Sequence, residues 1–179
     1  NHHLIPEVRL FKLVHQWPRP ERIRSFLRKL CHGSMLTNER RKRMGISESD
    51  CCYACDDHDE SLLHCFRDFH TTILIWKFFI RLENGGEFYI CNNWKQWLEG
   101  NLSANHIVHG VRWNVLFGML LDDIWWKRNK AIFNSESWWS AMEIIQRACN
   151  LAQTYKDSSS MLKLLSPLNS TSASHDDIC

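Results

Sequence analysis

Hydrophobic residues recur at helical spacing in the first third of the chain. After Pro20, apolar residues occupy positions i, i+3, i+4 and i+7, which predicts an amphipathic helix that ends before Gly33. Thr37 is a typical N-cap for a second, short and basic helix, and Gly45 is a typical stop for it. The apolar positions of the first helix are Ile23, Phe26, Leu27 and Leu30.

The middle of the chain alternates between loop and helix signals. Residues 46–59 are predicted as a loop, and Asp59 as the cap of a helix that starts at Glu60. The strongly apolar segment 71–82 predicts another helix, with a strand as the alternative. Asn93 is predicted to cap a further short helix.

The longest helical pattern runs from about residue 106 to residue 133. It is apolar on nearly all sides in its middle, so we expect it to be the buried centre of the fold. Asp122 and Asp123 interrupt it and are predicted to mark a solvent-exposed edge. Ser135 or Ser137 is predicted to cap a last helix. The apolar stripe of that helix is Trp138, Met142, Ile145, Cys149 and Ala152.

These patterns predict a mostly α fold with a small Cys-x-x-Cys/His element, which we call the knuckle. We expect a first unit over residues 8–83 and a helical connector over 84–156 packed on it. Residues 157–179 are rich in Ser and Thr and are predicted as a disordered tail.

Composition supports a folded protein inside the cell. Nine Trp and 12% aromatic residues supply enough apolar area for a core in a chain of 179 residues. There is no apolar run of 18 residues, so no membrane span or membrane partner is expected. Eight Cys without a secretory pattern indicate a reducing compartment. We therefore expect a nuclear or cytoplasmic location rather than secretion.

Charge is concentrated near the start of the chain. Residues 1–50 hold 11 Lys and Arg against 5 Asp and Glu, a net of +6, whereas residues 51–70 hold 1 against 5. One interpretation is a solvated helix face. The other is a surface that contacts the phosphates of RNA or DNA. The residues predicted for such contacts are Arg22, Arg28, Arg40, Arg41 and Arg43.

The acidic segment contains candidate metal ligands. Cys52 and Cys55 have the spacing of two thiolates presented by a tight turn, and His64 follows in the predicted helix. Two sulfurs and one imidazole suit Zn²⁺, but a structural site needs a fourth ligand. Buried free thiols with surface histidines are the alternative. The candidates for the fourth ligand are Cys65, His70, His58, Cys51 and a water molecule.

Further motifs accompany the candidate ligands along the chain. They include Trp17-Pro18, Pro20-Glu21-Arg22-Ile23-Arg24-Ser25-Phe26-Leu27, Leu36-Thr37-Asn38, Gly45-Ile46, Glu60-Ser61, Arg67-Asp68, Trp76 and Ile124-Trp125-Trp126-x-Arg128-Asn129-Lys130. In combination, these motifs resemble the zinc-binding domain of plant non-LTR (LINE-type) retrotransposon reverse transcriptases, and over about residues 8–156 the resemblance extends into the helical connector that precedes a ribonuclease H domain. It implies a zinc-binding accessory domain between a polymerase and a nuclease, with nucleic acid as a partner. It also implies that Cys52, Cys55 and His64 are ligands.

One position departs from the pattern of the family. The family places a second helical Cys five residues after the His, where this chain has Phe69. Phe cannot bind zinc, so the fourth ligand is lost unless His70 or Cys65 replaces it.

The signatures of catalysis are absent from the sequence. Asp122-Asp123 lacks the preceding aromatic residue of a polymerase turn, and no Gly-rich phosphate loop is present. The Trp pairs 125–126 and 138–139 are predicted as core residues, with base stacking as the alternative. We therefore predict a non-catalytic zinc-binding and nucleic-acid-binding domain. The alternative is a protein-interaction scaffold, docked on polymerase or ribonuclease H domains, or a degenerate remnant that binds neither metal nor nucleic acid.

Overall fold

The fold is mostly α-helical, as predicted. The computed structural model describes residues 6–18, 20–80, 85–134 and 139–165. A two-stranded antiparallel hairpin interrupts the helices. The elements are α1 (Pro6–His15), α2 (Glu21–Cys31), α3 (Asn38–Arg43), a π-helical turn (His64–Asp68), α4 (His70–Phe79), α5 (Gly85–Ile90), α6 (Trp94–Ser103), β1 (Ile107–Val108), β2 (Val111–Arg112), α7 (Trp113–Phe133) and α8 (Ala141–Leu165).

The predicted basic helices α2 and α3 are confirmed together with their ends. Thr37 Oγ1 accepts a hydrogen bond from the Arg40 N–H at 3.4 Å, and Gly45 has a φ of +70° after the end of α3. Only glycine adopts that backbone conformation without strain. The predicted apolar stripe of α2 is buried, and it comprises Ile23, Phe26, Leu27 and Leu30.

Helix α7 is the buried centre that its sequence predicts, but it begins later than expected. Residues 107–112 form a β-hairpin, because His109 and Gly110 both have positive φ and cannot continue a helix. Trp17 packs so closely on Gly118 that a Cβ atom there would lie 2.8 Å from the indole ring. This contact holds the segment after α1 against the middle of α7.

An aromatic cluster joins α4 to α5, α6 and α7. Trp76 on α4 is fully buried, and its indole N–H donates to the carbonyl of Phe66 at 2.8 Å. The predicted boundary between residues 83 and 84 lies outside the described residues. The rings that surround Trp76 are those of Phe88, Trp97, Trp113 and Phe117.

The last helix differs from its prediction in face and length. Met142, expected in the buried stripe, is 61% exposed, whereas the buried side chains are Ile144, Ile145 and Ala148. The helix continues to Leu165, so the part of the predicted tail from residue 157 to that point is helical. The predicted caps, the Trp138 position and residues 166–179 lie outside the described residues. Among the described residues, no helix is both long enough and apolar enough to cross a bilayer.

The prediction that Asp122 and Asp123 mark a solvent-exposed edge is wrong. Asp123 is only 1% exposed, because α8 covers this part of α7. The Asp122 carboxylate lies 2.6 Å from Arg22 on α2, and the Asp123 carboxylate lies 2.8 Å from Arg147 on α8. These ion pairs between distant segments allow two carboxylates to be buried inside the helix packing.

Replacing Asp123 with Asn is expected to stabilise the protein at neutral pH. Burial raises the pKa of Asp123 from about 3.8 to about 6, since desolvation and Asp122 outweigh Arg147 and Arg22. The folded state therefore binds the proton more tightly than the unfolded state, and the carboxylate costs stability above pH 6. The gain for the Asn variant should be about 1–3 kcal/mol at pH 7.5 and should vanish towards pH 4.

Urea denaturation at pH 7.5, 6 and 4.5 tests this expectation. Glu143→Gln removes a 55% exposed carboxylate of α8 and serves as the matched control, with little expected change at any pH. If the stability gain of Asp123→Asn does not depend on pH, the cost of the ionised Asp123 carboxylate is not its cause.

Candidate metal centre

Residues 51–59 fold into a tight hairpin that presents two thiols. Cys51 and Asp59 pair as an antiparallel bridge, and the Cys52 N–H donates to the carbonyl of His58 at 2.9 Å. The Asp56 N–H donates to the carbonyl of Cys52 at 3.0 Å, and Asp56 adopts a positive φ of 52°. This turn brings the side chains at both ends of the Cys-x-x-Cys segment to the same side.

His64 lies in the π-helical turn that follows. The Ser61 hydroxyl accepts a hydrogen bond from the His64 N–H at 3.1 Å, and the His64 carbonyl accepts from the Phe69 N–H at 2.8 Å. The prediction that Asp59 caps a helix starting at Glu60 is wrong, because Asp59 pairs with Cys51 in the hairpin. A short helical segment begins only after Ser61 and passes into the π-turn. Such turns are frequent at functional sites, and this one directs the imidazole towards the hairpin.

The three predicted ligands meet in space. The donor atoms of Cys52, Cys55 and His64 all lie within 4.8 Å of one another. The Cys55 Sγ and His64 Nε2 atoms are 3.6 Å apart. A tetrahedral Zn²⁺ with ordinary Zn–S and Zn–N bonds separates these two donors by about 3.6 Å. The donor set and its spacing therefore fit zinc.

The local electrostatics argue against a reactive thiol and leave His64 able to bind a metal. Burial raises the pKa of the Cys52 thiol to about 11. Burial, and secondarily His58, lowers the pKa of His64, so this imidazole is neutral at pH 7 and has a free lone pair. A thiol with a raised pKa is a weak nucleophile but loses its proton to zinc when the ion binds.

Neither replacement predicted for the fourth ligand joins this cluster. Cys65 is 6% exposed, and burial strongly raises the pKa of its thiol. His70 begins α4, and its ring centroid lies 4.1 Å from that of Phe69. The Phe69 ring itself lies edge-on to His64 at 6.0 Å, and it fills the space that the family's second helical Cys would occupy with an inert group.

A second group of possible ligands lies on the surface of the hairpin. Asp50, Cys51 and Asp59 also offer donor atoms within 4.8 Å of one another. Lys42 forms an ion pair with Asp50 at 2.8 Å, which lowers the pKa of that carboxyl. The group is accordingly explained as a surface ion-pair cluster beside α3.

Helix α3 is attached to the hairpin by buried polar contacts. The Asn38 side-chain amide donates to the carbonyl of Cys51 at 2.7 Å, and the Asn38 N–H donates to Glu60 at 2.7 Å. Both oxygens of Glu60 accept from Arg128 on α7, at 2.9 and 2.5 Å. Sequence patterns alone did not reveal this network, although Glu60 and Arg128 stand in the motifs of the family resemblance.

The five predicted phosphate-contacting arginines occupy different environments. Arg28 and Arg43 are exposed and form surface ion pairs with Glu21 and Glu39. Arg22 is also exposed, but it pairs with the buried Asp122. The other two contact the protein more closely. Arg40 donates to the carbonyl of Gly33 at 2.5 Å, and Arg41 stacks on Phe133 at 5.8 Å.

A groove of about 490 Å³ lies between α2 and α7. Among the described residues that line it, the cationic side chains are Arg22, Lys29 and Lys130, and the acidic side chain is Asp122. Its aromatic side chains are Phe26, Trp125, Trp126 and Phe133. Trp125 and Trp126 are only half-buried, so the prediction that they are core residues is correct in part. Trp139 of the other pair is buried.

The fold and the site together define a helical domain that carries a Cys/Cys/His group able to hold one metal ion. Residues 2–76 match the family described as zinc-binding in reverse transcriptase. A segment of 107 residues, 60% of the chain, is 29% identical to a protein of Arabidopsis thaliana whose name describes it as a ribonuclease H protein. The match spans 17% of that relative's length. No solved structure matches the chain.

The match of residues 2–76 to a zinc-binding domain of reverse transcriptases confirms the resemblance found in that part of the sequence. The matched family is the zinc-binding domain and not the catalytic domain of such an enzyme. The family description and the donor set of Cys52, Cys55 and His64 both indicate zinc as the cofactor.

Proposed function

We propose that the chain is a non-catalytic accessory domain that binds RNA or DNA through α2, α3 and the groove beside them. Zinc has a structural role in this proposal. The domain works beside the polymerase or ribonuclease H domains of a retrotransposon polyprotein, in a reducing compartment of the cell. The family match and the name of the Arabidopsis relative support this context.

The groove between α2 and α7 is the observation that carries the proposal. It combines cations for phosphates with aromatic side chains for bases, which is the combination used by proteins that bind single strands. Phe133 lines the groove and is 61% exposed, and Arg41 on α3 stacks on the ring of Phe133. The basic α3 is therefore continuous with the groove.

Zinc positions α3 relative to this groove. Cys51 and Glu60 flank the metal-binding hairpin, and both accept hydrogen bonds from Asn38, the first residue of α3. A metal that fixes the hairpin consequently fixes the basic helix as well. The proposal therefore includes a loss of nucleic-acid affinity when zinc is removed.

The zinc-loaded chain is expected to bind single-stranded RNA or DNA with a steep salt dependence. Neutralising five phosphates gives a slope of log K against log salt of about −3.5 on a single strand, and it would give about −4.5 on a duplex. A filter-binding titration of a labelled oligonucleotide from 50 to about 300 mM salt measures this slope. Chelation of the zinc should lower the affinity at every salt concentration.

Exposed cations that do not hold the fold together provide the test variants. Arg28→Ala and Lys29→Ala should each weaken binding and reduce the slope by about 1. Lys77→Ala removes an equal charge from an exposed position on α4 and is the matched control. Arg22 is unsuitable because its removal leaves Asp122 buried and unpaired. A chain that binds neither RNA nor DNA at low salt would overturn the proposal and favour the protein-interaction scaffold.

A further inference from the structure

The described metal cluster is one ligand short of a structural zinc site. Structural sites are almost always tetrahedral with four protein ligands, whereas catalytic sites leave one position to water. Cys52, Cys55 and His64 supply three donors. Since no catalytic constellation surrounds the cluster in the described part of the chain, a fourth protein ligand is the expected arrangement.

His58 is the neighbouring donor that is best placed to complete the set. Its ring is stacked on that of His64, with centroids 5.5 Å apart and an interplanar angle of 18°. Its carbonyl accepts the Cys52 N–H at 2.9 Å. The backbone of His58 is thus fixed beside one ligand while its imidazole lies against another.

The other donors near the cluster are engaged elsewhere. Cys65 is buried, and it follows His64 directly in the π-helical turn, so its side chain leaves the turn in a different direction. His70 packs on Phe69. Cys51 lies in the surface group with Asp50 and Asp59. Each would need a change of backbone or the loss of these contacts to reach the ion.

We propose that His58 is the fourth zinc ligand, which gives the set Cys52, Cys55, His58 and His64. This inference rests on the zinc-binding part of the proposed function. The donor atom of His58 lies outside the 4.8 Å cluster, so ligation requires its ring to turn about the side-chain bonds. The side chain is exposed, and the turn of the ring changes its stacking on His64. In this arrangement the hairpin supplies the fourth ligand, which the family instead takes from a Cys at the position of Phe69.

Metal titration of single variants tests the assignment. His58→Ala should lower zinc affinity at least about tenfold, as measured by competition with a chromogenic chelator, because the site loses a direct ligand. His70→Ala removes the other nearby exposed imidazole and should leave the affinity unchanged. Reconstitution with Co²⁺ should give the intense visible bands of a four-coordinate site in the wild type and in His70→Ala, and altered bands in His58→Ala.

The outcomes separate this inference from the proposed function. Equal zinc affinity and equal Co²⁺ spectra for wild type and His58→Ala would overturn the assignment of His58 alone. If the zinc affinity falls in His70→Ala but not in His58→Ala, the assignment of His58 is also overturned and His70 is the ligand. A wild-type chain that takes up no zinc would overturn both the assignment and the zinc-binding role. None of these measurements depends on nucleic-acid binding, so the assignment of His58 is tested separately from that part of the proposed function.

Discussion

Cys52→Ser is expected to reduce the zinc content from about one ion per chain to near zero and to lower the melting temperature markedly. Zinc binds the folded hairpin, and an ion present at a thousand times its Kd stabilises the fold by about 4 kcal/mol. In a chain of this length, the loss of that stabilisation lowers the melting temperature by about 8–16 °C. Most of the helical signal should survive, because most of the buried core side chains lie on helices and the hairpin adds Cys52 to them.

Metal analysis of the purified protein, combined with thermal denaturation with and without a chelator, measures both effects. Cys149→Ser changes a half-buried thiol on α8 and is the control, with zinc content and chelator response unchanged. If Cys52→Ser retains the zinc content of the wild type, the ion is held elsewhere and the hairpin is not the zinc site.

Local sequence signals predicted those parts of the fold that local interactions determine. The apolar stripe of α2 and the caps at Thr37 and Asn93 are short-range features, and all three are confirmed. The hairpin at residues 107–112 was missed because its apolar content continues the helical pattern into α7. The signal that could have revealed it was His109-Gly110, a pair that suits a tight turn.

Contacts between distant segments explain the remaining errors. Asp122 and Asp123 look like surface residues because Arg22 and Arg147, which allow their burial, lie far away in the sequence. The prediction of the metal site was likewise right where spacing decides and incomplete where the fold decides. Spacing correctly brought Cys52, Cys55 and His64 together, but it could not rank the fourth ligand, since the position of His58 depends on how the hairpin folds back.

Glu60→Gln is expected to destabilise the protein by about 3–5 kcal/mol, although it changes a single atom. Glu60 and Arg128 are both almost fully buried, and each carboxylate oxygen of Glu60 accepts a hydrogen bond from the guanidinium. Removing one partner leaves the other charge buried and uncompensated. One oxygen of Glu60 also accepts the Asn38 N–H, so an amide NH₂ placed there would face another donor.

Urea denaturation of the variant, compared with Glu39→Gln, tests this expectation. Glu39 forms an exposed ion pair with Arg43 on α3, so its loss should cost no more than about 1 kcal/mol. The zinc affinity of Glu60→Gln should fall as well, because Glu60 precedes the turn that carries His64 and connects it to α3 and α7. A cost below about 1 kcal/mol with unchanged zinc affinity would show that the pair contributes little, and that the hairpin holds its position without Arg128.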